Sequence, residues 1–206
     1  VPAVLWIAFF YRMDANEPEP KGMIVRVFLL GALLASGLGL PLTSLFELPE
    51  WLYAAPWVTL LGAVLVIGFT QEFLKYAAVR FSVFRSLEFS ERTDGIIYSV
   101  AAGLGYATVL NINFMLENGG GNLGLAATRI VLTALAQASF AGVCGYFLGR
   151  QRFETRPLWW MPLGLGLSAL LNGLFFYLWG TLRRSGGDMV GGAMNPWIGL
   201  GLAAAL

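Results

Sequence analysis

Glu72 and Lys75 lie three residues apart in a stretch, Trp57 to Val79, that is almost wholly apolar. At that spacing both side chains reach one face of a helix. A charged side chain at the centre of a membrane helix costs roughly 2.5–3.5 kcal/mol on insertion scales. The two are therefore either a structural ion pair or part of a site. Lys75 has a second route, since it lies close to Arg80 and can snorkel towards a membrane surface. Glu72 has no such route and needs a partner or a proton. Amides recur in the other apolar stretches, at Gln71, Asn111, Asn113, Gln137, Asn172 and Asn195. Amides of this kind join helices by hydrogen bonds worth about 0.6 kcal/mol on average.

Other chemistry is excluded by what the chain lacks. It has no histidine, the commonest metal ligand and general base. Serine or cysteine nucleophiles are left without the base that would activate them. The single cysteine, Cys144, rules out an intrachain disulfide. It lies two helical turns from Gln137, but one thiolate does not make a metal site. The glycines at 103 and 105, at 142, 145 and 149, and at 164 and 166 precede no GK[ST] and follow no strand, which removes phosphoryl transfer. They read as close-approach positions between helices.

The elements that must position these groups are membrane helices. The 206 residues are 57% hydrophobic and 12% charged, with a mean hydropathy of +0.69. Soluble chains carry about 25% charged residues. The net charge of +1 gives no global field for nucleic acid. The expected fold is all-α, a polytopic membrane bundle of about seven helices forming a single transmembrane domain over residues 1–206. A span needs about 20 apolar residues. The expected spans are a partial first helix ending near Tyr11, then 24–42, 56–79, 95–116, 125–148 and 158–179, and a seventh starting near Val190. Val1 and Leu206 both fall inside apolar runs, so the first and last helices are expected to be truncated. Glu17-Pro18-Glu19-Pro20 and Asn118-Gly119-Gly120-Gly121-Asn122 break the pattern between spans.

Basic residues sort between alternate loops. Arg12, Lys21 and Arg26 flank the first, Arg80, Arg85 and Arg92 the third, and Arg150, Arg152 and Arg156 the fifth. The even loops have only Arg129, Arg183 and Arg184, and the second carries Glu47 and Glu50 instead. The positive-inside rule then puts the loops after helices one, three and five in the cytoplasm.

Several segments, in order, resemble one family. They are Tyr11-Arg12-Met13-Asp14 through Glu17-Pro18-Glu19-Pro20-Lys21-Gly22, Arg26 to Gly31, Glu88-Phe89-Ser90-Glu91, Asp94 to Tyr98, Ala102 to Ala107, and Gly145 to Gly149. The chain is similar to the PrsW family of intramembrane metalloproteases, related to CAAX-protease-like membrane proteins. The family carries Glu-Glu-x-x-Lys in its third helix, which falls here on Gln71-Glu72-Phe73-Leu74-Lys75. Its Phe-x-x-x-Glu followed by Asn falls on Tyr106 to Leu110, with Asn111 kept. Its histidine in helix five falls on Gln137, and that of its last motif on Asn172, within Asn172-Gly173-Leu174-Phe175-Phe176.

The resemblance implies zinc, and cleavage of a single-span membrane protein such as an anti-sigma factor near the membrane surface. By the same resemblance Gln71, Glu72, Lys75, Leu110 and Asn111 stand at catalytic positions, with Gln137 and Asn172 at those of metal ligands. Most of these are substituted. A catalytic zinc takes three ligands from His, Cys or carboxylate and keeps a position for water. Here only Glu72 qualifies, so the expectation is a chain without bound zinc and without hydrolytic activity. A natural inactive homologue and a deliberate replacement of ligands both fit. A non-catalytic scaffold that binds a membrane partner is the alternative. A transporter ranks below both, for want of paired broken half-helices. Glu72, Leu110, Gln137 and Asn172 should converge on one small cavity between helices three to six, open towards the basic, cytoplasmic half.

Overall fold

The computed structural model describes residues 2–13, 19–46, 55–117 and 123–187. These form helices and no strand. Helix α1 is Pro2–Met13. Helix α2, Lys21–Leu34, runs through a π-helical turn at Ala35–Gly39 into α3, Leu40–Phe46. Helix α4, Pro56–Gly62, runs likewise through a π turn at Ala63–Gly68 into α5, Phe69–Ser82. Helices α6 (Arg92–Glu117), α7 (Leu123–Phe153) and α8 (Trp160–Gly187) are unbroken.

Among the described residues, five segments are long and apolar enough to cross a membrane, at Lys21–Leu45, Pro56–Ser82, Arg92–Glu117, Ala127–Phe153 and Trp160–Thr181. The architecture is a polytopic all-α bundle. Each expected span from the second to the sixth corresponds to one of them, with its ends shifted by a few residues. Helix α1 is shorter than a span, and the expected seventh helix lies outside the described residues.

Helix boundaries follow local chemistry. Pro56 opens α4 where its missing N–H is no loss. Asp94, in the first turn of α6, accepts the backbone N–H groups of Ser90 (2.7 Å) and Glu91 (2.8 Å), which fixes the approach to that helix. Pro157 follows the end of α7, and the Trp160 N–H closes the turn onto its carbonyl at 3.0 Å.

Helix α6 is the axis of the bundle. In its most apolar window 72% of residues are buried, against 28% for the α2–α3 span, so α6 lies inside and α2–α3 faces lipid. Small residues bring α6 onto α7. A Cβ on Gly103 would stand 2.6 Å from the carbonyl oxygen of Gln137. Only a glycine allows helices to pass so closely, and here the close pass delivers Gln137 to the centre.

Candidate functional site

The second π turn lies directly before the residues of interest. Gly68, its last residue, packs on α8, where an added Cβ would stand 3.0 Å from the Gly173 nitrogen. That contact sets α5 beside Asn172. A π turn inserts one residue into the helical repeat, so it re-aims the side chains that follow it, starting with Gln71 and Glu72.

Five side chains from three elements then meet. Lys75 Nζ donates to Glu72 Oε1 at 2.5 Å and to Gln137 Oε1 at 2.7 Å. Asn172 Nδ2 donates to Glu72 Oε1 at 2.7 Å and to Gln71 Oε1 at 3.1 Å. Gln137 Nε2 donates to Gln71 Oε1 at 2.9 Å and, more weakly, to Asn172 Oδ1 at 3.4 Å. Glu72 and Lys75 are 0% and 1% exposed. Lys75 therefore turns inward and does not snorkel, because a carboxylate and an amide oxygen offer it a better partner set than the distant surface.

One fully buried polar atom of the network is left over. Glu72 Oε2 is buried and has no hydrogen-bond partner among the described residues. Tyr106, unremarked as a site residue in the sequence, is the neighbour that spacing alone did not reveal. Its ring centroid lies 5.8 Å from Lys75 Nζ, and its buried hydroxyl is also unpartnered. The signal for it was present in the Tyr106-to-Leu110 spacing, but an aromatic in an apolar helix reads as packing.

Above the network is a cavity of about 880 Å³. Gln71, Leu110, Asn111, Gln137 and Asn172 line it, whereas Glu72 lies behind them. Leu110 adds only apolar surface and packs near Leu74 and Tyr106. Asn111 donates its amide to the Ile130 carbonyl at 3.2 Å, so it ties α6 to α7 instead of joining the centre.

The expected direction of opening needs correction. The outer lining comes from Thr43 and Ser44 in α3, Asn113 and Glu117 in α6, Arg129 in α7 and Trp179 in α8. These stand at the ends of the helices away from the basic loops. Glu72 precedes Arg80 by about two helical turns and so lies towards the basic end, but this proximity does not decide where the cavity opens. The cavity reaches down to the network from the other side.

The profile of the PrsW family intramembrane metalloprotease matches residues 19–202. The chain belongs to the PrsW family. It is 34% identical to Protease PrsW of Halalkalibacterium halodurans over 84% of this chain and 78% of that one. It is 30% identical to Protease PrsW of Geobacillus kaustophilus, covering 86% and 76% of the two chains. Protease PrsW of Bacillus subtilis is 28% identical, with 86% and 78% covered. No solved structure matches.

The donor set at the centre does not fit the zinc that PrsW metalloproteases imply. Among the described residues no three His, Cys, Asp or Glu side chains come together. Glu72 offers one free oxygen, Oε2, and its other oxygen already accepts from Lys75 and Asn172. Gln137 and Asn172 are neutral amides whose atoms are engaged with one another, with Gln71 and with the ion pair. Zinc requires three strong donors, and an ammonium group within the cluster adds repulsion.

Proposed function

We propose that this chain is a PrsW-family protein of a bacterial inner membrane that receives a single-span membrane protein and, as written, does not hydrolyse it. The observation that carries the reading is that both amides at the family's histidine positions are committed to Gln71, Glu72 and Lys75. A zinc-bound water must fall to a pKa near 7 and pass its proton to a base. Glu72, paired at 2.5 Å with Lys75, is a poor base, and no step of hydrolysis is assigned to it.

What remains is a receptor for a helix end. The cavity has a polar floor of amides and walls that include Phe114, Phe175, Phe176 and Trp179. Those surfaces suit a segment of chain that has left helical form, because its free peptide groups find amide partners while its apolar side chains find aromatic ones. On the positive-inside rule the cavity opens away from the cytoplasm.

Restoration tests the reading. A variant carrying Gln71→Glu, Leu110→Glu, Gln137→His and Asn172→His is expected to take up stoichiometric zinc and to cleave a single-span membrane reporter in a chelator-sensitive manner. The parent should crosslink the same reporter through the cavity without cutting it. Cleavage by the parent, or a restored variant that takes up no zinc, contradicts the proposal. A non-catalytic scaffold that binds some other membrane partner is the second reading, favoured if the reporter does not crosslink at all.

A further inference from the structure

The basic end of the bundle, far from the cavity, carries a second feature. Arg80 in the last turn of α5 and Arg152 in the last turn of α7 share the ring of Phe84. Their guanidinium carbons lie 4.1 and 5.6 Å from its centroid. Arg80, Phe84, Gln151, Arg152 and Phe153 line a cleft of about 530 Å³. An aromatic face attracts cations, but it neutralises neither of them, and two like charges around one ring repel.

Neither arginine meets a carboxylate. Arg152 donates to the backbone carbonyls of Phe84 and Ser86, the latter at 2.9 Å. Arg80 makes no hydrogen bond or ion pair among the described residues, only its ring contact. Glu154 is the carboxylate within reach of this end, and it is shared by Arg92 (3.1 Å), Arg150 (3.0 Å) and Arg156. Glu88 and Glu91 are exposed and pair with neither Arg80 nor Arg152. In the cleft wall, Gln151 Oε1 is buried and without a hydrogen-bond partner. The cleft thus offers two unneutralised cations and one free acceptor.

Its depth matters as much as its charge. The spans of α5 and α7 end at Ser82 and Phe153, so Arg80 and Arg152 sit at the level of lipid headgroups. At this same end of the bundle, Phe81 in the last turn of α5 and Leu87 and Leu158 in the following loops are 83%, 93% and 97% exposed. Side chains of that kind are in place where acyl chains meet headgroups. The carbonyl ends of α5 and α7 disfavour an anion by about half a charge each, and two full cations outweigh them.

We propose that this cleft binds the headgroup of an anionic phospholipid. The phosphate lies between Arg80 and Arg152, and Gln151 Oε1 accepts a hydrogen bond from a headgroup hydroxyl, which a phosphoglycerol supplies. Basic clefts between membrane helices are suited to such headgroups.

The test is titration of the purified full chain in nonionic detergent with short-chain phosphatidylglycerol, phosphatidylcholine, phosphatidic acid and inorganic phosphate, read by native mass spectrometry. Phosphatidylglycerol is expected to bind saturably and better than phosphatidylcholine, and inorganic phosphate should not displace it. Arg80→Gln should weaken binding roughly fivefold. Arg26→Gln, which removes the same charge from an exposed position on α2, should leave it unchanged. Gln151→Leu should abolish any preference for phosphatidylglycerol over phosphatidic acid. Equal binding of phosphatidylcholine, equal losses in the two arginine variants, or displacement by inorganic phosphate overturns the lipid site. A preference that survives Gln151→Leu overturns the hydroxyl contact.

Discussion

A lysine has only donors and a carboxylate only acceptors, and together these dictate how Gln137 and Asn172 must be turned. Gln137 has to present its oxygen to Lys75, which leaves its nitrogen for Gln71 and Asn172. Asn172 must give its nitrogen to the carboxylate of Glu72. The ion pair is therefore the part that orients the rest. Removing one partner of a buried pair leaves an uncompensated charge, so Lys75→Met is expected to destabilise the protein by roughly 3–5 kcal/mol in detergent unfolding. The double variant Glu72→Gln with Lys75→Met should recover most of that loss. If the single and double variants lose the same stability, the pair is not the organising element. The pairing itself was legible from the spacing of 72 and 75 and the cost of charge in an apolar helix. The inward turn of Lys75 was not, because its distance from Arg80 permits snorkelling equally well and only the position of Gln137 on another helix decides.

At the scale of elements, five of the spans were legible because apolar length is a strong signal and Pro, Gly and acidic residues mark the breaks. The π turns were not. Ala63-Val64-Leu65-Val66-Ile67-Gly68 contains no residue that forbids regular α-helix, and the irregularity comes from packing against α8 at Ala169 and Gly173. The close approach at Gly103 was legible as a small-residue position between helices, but not that its partner is α7 at Gln137. Gly103→Ala would press a methyl group onto the backbone of Gln137 and is expected to cost about 1–3 kcal/mol, seen as a lower melting temperature. Gly166→Ala, with nothing within 4 Å of the new Cβ, should melt no lower than the parent. Equal effects of the two substitutions would show that the close approach is not what holds Gln137 in place.

Over the whole molecule, the distribution of Lys and Arg and the position of the cavity lead to one arrangement. In the orientation proposed on the positive-inside rule, the basic loops face the cytoplasm and the cavity opens on the other side. In a Cys144→Ala background, Ser44→Cys at the outer lining is expected to react with a membrane-impermeant maleimide in intact cells. Glu88→Cys should react only after permeabilisation, and the reverse pattern inverts the orientation. The direct test of the central claim is the zinc content of the purified chain after chelator washing, by elemental analysis. A centre of three amides and a lysine-bound carboxylate predicts zinc far below stoichiometry. Stoichiometric zinc that survives the wash would mean that Gln71, Glu72, Gln137 and Asn172 do not form the closed network described, and that this chain retains the metal chemistry of its family.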